Sequence, residues 1–183
     1  MTLIVEDGTG LPTANAYVDV AYVDSYFALR GGTAWAALTQ EVKESSIVQA
    51  TDYIDLRWGR LFAGQPLTEE QALAFPRTVF VGVPEMLKKA CCEYAVRASM
   101  GPLNVDPTYS AGGFQKISES VKLGPIEEKN GFASGSEAWA LGYWRSYPLA
   151  DGLIIPLLNS QSSRVIRNGD RKSTRLNSSH QYY

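Results

Sequence analysis

Histidine is almost missing from this sequence: its one copy, His180, sits in a polar tail that does not read as part of the fold. Without it the chain offers no imidazole base, no Ser-His-Asp arrangement and no histidine metal site. Cysteine is scarce too. Cys91 and Cys92 are sequence neighbours, diverge by about 100° on a helix and would be strained as a bridge. No disulfide framework is implied, and a reducing cytoplasm fits. No CxxC pair, GxxxxGK[ST] loop or helix-opening GxGxxG occurs. Long apolar runs are absent, so no membrane span is expected, and the start Met1-Thr2-Leu3-Ile4 lacks the positive region of a secretory signal. Nor is there a basic excess: 17 Lys and Arg stand against 19 Asp and Glu, a formal net charge of −2. A constitutive nucleic-acid binder usually carries the opposite balance. The expectation is a protein with no catalytic residues, no metal and no cofactor.

What is present suits one folded domain. The 183 residues are 45% hydrophobic and 20% charged, enough for one core without disulfides. Residues 170–183 stand apart. They have no apolar periodicity, and Asp170-Arg171-Lys172-Ser173-Thr174-Arg175-Leu176-Asn177-Ser178-Ser179-His180 resembles the translation of a common sequencing-library adapter. The segment is read as a read-through scar and set aside from the fold. Its removal takes away Arg171, Lys172, Arg175 and Asp170, leaving 14 basic and 18 acidic residues in 1–169, a net charge of −4.

Patterning along residues 1–169 predicts a mainly α domain, a helical bundle with a small β-hairpin appendage and an extended N-terminal arm. Thr2-Leu3-Ile4-Val5 forms that arm, stopped by the turn residues Asp7 to Pro12. Asp19 caps a helix to about Leu29, ended by Gly31-Gly32, with Val20, Val23, Phe27 and Tyr26 inside. Thr39 or Thr33 starts the next helix, running to about Trp58. Its inner face is Val42, Ile47, Ala50 and Ile54, while Glu41, Lys43 and Glu44 face solvent. Thr68-Glu69-Glu70-Gln71 has the spacing of a capping box and predicts a short helix before Pro76. Pro84 opens a helix from Glu85 to Met100, with Leu87, Cys91, Tyr94 and Ala98 inward, closed by Gly101-Pro102. Cys91 reads as a small core residue. Alternation around Gly124-Pro125 predicts the hairpin near 114–129. Pro148 to Leu158 is a last short helix cut by Pro156, and Arg164 to Arg167 is an extended end.

One constellation could carry recognition: Trp139, Tyr143, Trp144, Arg145 and Tyr147. Aromatics interleaved with a cation can stack single-stranded bases. The same residue types also pack against a neighbouring subunit or bury a loop. The net negative domain favours packing. Glu69-Glu70 and Glu127-Glu128 read as solvated charges, because sequence neighbours diverge in direction.

Several short motifs stand in a shared order: Ile4-Val5-Glu6-Asp7-Gly8-Thr9-Gly10, Asn15-Ala16-Tyr17-Val18, Ala34-Trp35, Ala50-Thr51-Asp52-Tyr53-Ile54, Leu67-Thr68, Gln71-Ala72-Leu73-Ala74-Phe75-Pro76-Arg77, Val83-Pro84 and Val121 through Gly124-Pro125-Ile126. In this order the chain resembles a family of tailed-bacteriophage head–tail connector or adaptor subunits, whose members often carry the label DnaT-like single-stranded-DNA-binding protein. One departure is Phe75, where the family pattern has tryptophan before Pro-Arg. The resemblance implies a non-enzymatic virion structural protein, present in the host cytoplasm during assembly, that self-associates as a ring with portal and tail-completion proteins. The label implies the alternative, a single-stranded-DNA partner in phage replication.

Overall fold

Asp19 sits in extended backbone, and its carboxylate accepts the Tyr22 N–H at 2.6 Å, which caps α1 (Val20–Ala28) as its sequence position predicts. The computed structural model describes residues 2–104, 116–122, 127–132 and 144–159, the two middle segments by backbone alone. Both threonines proposed as helix starts are used. Thr33 opens the one-turn α2 (Thr33–Ala36), and Thr39 caps α3 (Gln40–Trp58) through the Val42 N–H. Then come α4 (Glu85–Ala98) and α5 (Pro148–Ile154), followed by a 3₁₀ turn at Ile155–Leu157, where Pro156 stands. The described chain is mainly helical.

The core forms where α3 lies against α4 and α4 against α5, with α1 closing one side. Ile47, Ala50 and Ile54 of α3 meet Leu87, Cys91 and Tyr94 of α4, all fully buried. A buried Leu or Ile side chain contributes about 1.5–3 kcal/mol through lost contact with water. Trp35 on α2 is buried against Phe27, its ring nitrogen donating to Asp24 at 2.7 Å. The end of the described chain returns along residues 61–63: Ala63 N–H donates to Leu157 O at 3.0 Å, and Asn159 N–H to Leu61 O at 2.9 Å.

Four expectations need correction. The helix at Thr68–Gln71 does not form. Half of its capping box does: Thr68 N–H donates to the Gln71 side chain at 3.0 Å. The donors that a helix would use are taken elsewhere, Ala72 N–H by Leu11 O, Ala74 N–H by Asp55 and Phe75 N–H by the Tyr17 hydroxyl. Tertiary partners therefore outcompete the helical ladder, and the Phe75–Pro76 peptide is cis. On α3, Val42 is exposed in the first turn, beyond the edge of the core. Lys43, expected in solvent, instead has its ammonium 5.8 Å from the Trp35 ring centre and paired with Asp24 at 2.8 Å. Lastly, the N-terminal arm is not free. Glu6 N–H donates to Ala16 O and Asn15 N–H to Ile4 O, both at 2.9 Å, and Leu3 and Val5 pack on the core.

Two further segments, β1 (Lys116–Lys122) and β2 (Glu127–Phe132), pair antiparallel, with Glu119 opposite Asn130, Lys122 opposite Glu127, and an irregularity between Lys116 and Ser118. Residues 123–126, which hold the expected Gly124-Pro125 turn, lie outside the described residues, as do Arg164 to Arg167 and the tail 170–183.

Candidate nucleic-acid interface

The last turn of α3 carries Arg57, and one helix face back lies Tyr53. Both look towards α5. Arg57 grips Asp151 with two parallel hydrogen bonds of 3.1 Å, the planar fork matching a carboxylate. The same guanidinium donates to the Tyr53 hydroxyl at 2.7 Å and to the Arg145 carbonyl at 3.0 Å. Asp151 also accepts the Tyr147 N–H at 3.0 Å and the Tyr94 hydroxyl, which in turn receives Trp58 Nε1–H at 3.2 Å. Both members of the ion pair are nearly buried, and each is satisfied by several partners. Burial, reinforced by the bond to Asp151, pushes the Tyr94 phenol well above its usual pKa. Tyr53, Tyr94 and Tyr147 meet edge-on or tilted at 5.0–6.0 Å, so the network is walled by aromatic rings. It holds residues 144–151 against α3 and α4.

The five residues singled out in the sequence have separate fates. Trp139 and Tyr143 lie outside the described residues. Trp144 is half-buried, edge-on to Tyr53 at 5.6 Å. Arg145 is exposed, with its guanidinium carbon 5.7 Å from the Tyr147 ring centre. Tyr147 is a core residue, 8% exposed, its hydroxyl donating to Leu103 O at 2.9 Å. Trp144, Arg145 and Tyr147 therefore come together, but the tyrosine holds the fold and offers no open face to a base. Sequence reasoning missed Arg97. It sits in the last turn of α4, paired with Glu93 at 2.8 Å, and its guanidinium carbon lies 5.9 Å from the Tyr147 ring centre. Its place in the last turn of a predicted helix, four residues after Glu93, was the available signal. Arg97 and Arg145 line one cleft of about 420 Å³ beside Tyr147.

The motif-bearing residues do different work. Glu6 is buried, and its carboxylate accepts Gly8 N–H, Gly10 N–H and Leu11 N–H at 2.8–2.9 Å. Gly8 and Gly10 have φ of +99° and +85°, backbone that L side chains rarely adopt, which is why glycine recurs in this turn. Arg77 is also buried, and its guanidinium donates to the carbonyls of Gly59, Ala63, Gly64 and Ala74. Asp55 accepts from the Tyr17 hydroxyl and from Ala74 N–H. Burial lifts its carboxyl to about 6 against the hydrogen bonds that hold it down. Cys91 has its thiol pushed up to about 12 by burial, against the ordinary core of α3, and is no nucleophile at neutral pH. These groups fix loops. Among the described residues, no cluster of three His, Cys, Asp or Glu side chains could hold a metal ion, and no helix is long and apolar enough to cross a membrane.

A family model described as "Putative DnaT-like ssDNA binding protein" matches residues 1–169. Its description bears on the single-stranded-DNA alternative and says nothing of a connector, a portal or a tail. No curated protein and no solved structure matches the chain.

Proposed function

The chain belongs to the DnaT-like ssDNA binding family that its residues 1–169 match, and from that membership we propose that it is a non-enzymatic protein whose partner is single-stranded DNA. The family match carries this reading. The arrangement at the α4–α5 corner supports it, since Arg97 and Arg145 converge there beside Tyr147 on an otherwise acidic domain. Binding of this kind rests on phosphate contacts more than on stacking, because Tyr147 is buried and Trp144 only half available. Phosphate contacts release counterions, so affinity falls as salt rises. The 170–183 tail lies beyond the family match.

Fluorescence anisotropy of a labelled single-stranded oligonucleotide across a salt series tests the proposal. Micromolar or tighter binding at low salt that weakens steeply by moderate salt is the expected result. No binding at the lowest salt would overturn it.

A second reading keeps a specific support of its own. The motif order resembles phage connector subunits, and Leu56, Val79 and Val81 are 70%, 59% and 100% exposed, apolar surface that a neighbouring subunit could cover. In that reading the protein is a virion adaptor, made in the host cytoplasm and assembled as a ring on the portal, with the β-hairpin appendage reaching the next subunit. A closed ring needs two different complementary surfaces per subunit. Sedimentation at high concentration, with and without portal, separates the readings. Ring formation without oligonucleotide binding would favour the adaptor.

A further inference from the structure

Among the described residues, two guanidiniums and no carboxylate line the cleft at the C-terminal end of α4, in a chain whose residues 1–169 carry a net charge of −4. Arg97 approaches from the helix, and Arg145 from the segment that Arg57 pins in place. Gly101, Ser146 and Tyr147 also line it. The volume, about 420 Å³, falls in the range of sites that take small groups, about 300–1,000 Å³. Resting on the single-stranded-DNA reading above, we propose that this cleft is a phosphate pocket, in which Arg97 and Arg145 hold one phosphodiester of the nucleic-acid backbone.

The electrostatics decide what the pocket can take. Two features oppose an anion: the C-terminal end of α4 carries a partial negative charge of about half a unit, and Glu93 offsets much of Arg97. Arg145 tips the balance. Among the described residues it has no carboxylate within ion-pair distance, and it faces solvent. Arg97 also keeps donors to spare, because Glu93 engages only one end of a five-donor fork. The result is one anchored guanidinium and one adaptable one, a pair suited to the tetrahedral oxygens of phosphate. A base has less reason to enter, since the one aromatic wall among the described residues is a buried tyrosine already bonded to Leu103.

The test uses the full chain and three probes: inorganic phosphate, a single-stranded oligonucleotide, and an abasic oligomer of the same length. Arg145→Gln and Arg97→Gln are compared with Arg60→Gln, which removes one exposed charge elsewhere. Arg145 is exposed, so its variant folds even if Arg97→Gln disturbs α4. The expected outcome is that phosphate shifts the Arg145 side-chain NMR signals and that the abasic oligomer binds nearly as well as the natural one. Arg145→Gln should then weaken both oligomers about tenfold and reduce the slope of log affinity against log salt by about 0.7, the share of one phosphate on a single strand. Oligonucleotide binding that survives Arg145→Gln, or that falls equally in Arg60→Gln, overturns the pocket and leaves the single-stranded-DNA reading standing. Loss of binding with the abasic oligomer alone also overturns it, in favour of a base site. Phosphate binding with no oligonucleotide binding at low salt overturns the reading of the partner as nucleic acid, and the phosphodiester proposal with it.

Discussion

Two corners of the molecule bury charge in different ways. In the corner built from the N-terminal turn and the 59–77 segment, charges are answered by backbone. Glu6 is caged by three N–H groups, and Arg77 by four carbonyls. In the corner built from α3, α4 and α5, charges also meet opposite charges, with backbone groups as additional partners: Arg57 pairs with Asp151, and Arg97 with Glu93. Backbone-answered charge fixes the path of a loop and has nothing left for a ligand. Side-chain-answered charge leaves donors over, and there the fold has an open cleft. Many of the motif residues that carry the family resemblance lie in the first corner, and those report on shape more than on partner.

The comparison breaks most sharply at Arg77. Arg77→Met should cost about 3–5 kcal/mol, because several buried carbonyls lose a charged donor at once. Urea unfolding measures it. A cost below about 1 kcal/mol would show that water replaces the guanidinium and that the loop does not depend on it.

A smaller effect comes from Asp55, which ties the two corners through α3. Its folded pKa of about 6 lies above the ordinary carboxylate value, so the native state holds the proton more tightly than the unfolded chain. Its contribution is therefore greatest below pH 4, declines as pH rises from about 4 to 6, and is level above that, a span of up to about 3 kcal/mol. Asp55→Asn should flatten this part of the stability profile relative to the parent protein. Parallel profiles for the two proteins between pH 4 and 7 would refute it.

The smallest expected effect is at the far end of the chain. Deleting residues 170–183 should leave the melting temperature unchanged within error, as a polar segment without periodicity buries little. A fall of several degrees would make the tail integral to the domain.

Much of this fold was legible because it rests on local rules. Asp19 before an apolar run, Pro84 before Glu85, and the spacing of Leu87, Cys91, Tyr94 and Ala98 each place a helix or its inner face, and the structure follows them. The Thr68–Gln71 motif misled because its local bond forms without the helix it normally signals, once Asp55, Tyr17 and Leu11 claim the neighbouring N–H groups. Lys43 misled in the same sense, since its partners Asp24 and Trp35 belong to other elements. The candidate site was half legible. Trp144, Arg145 and Tyr147 could be read as a cluster. That Tyr147 faces inward, and that Arg97 arrives from 48 positions earlier in the chain, depend on how α4 meets α5.

One bond has a consequence for how the chain could change over time. The Tyr147 hydroxyl on the Leu103 carbonyl ties the stretch that follows α4 to the residue that precedes α5. The two positions lie 44 apart in sequence and share this one fastening. For a flexible chain closed between two fixed points, each doubling of length costs only about 0.6 kcal/mol. Over time, positions 103 and 147 are constrained together, while the number of residues between them is not set by this bond.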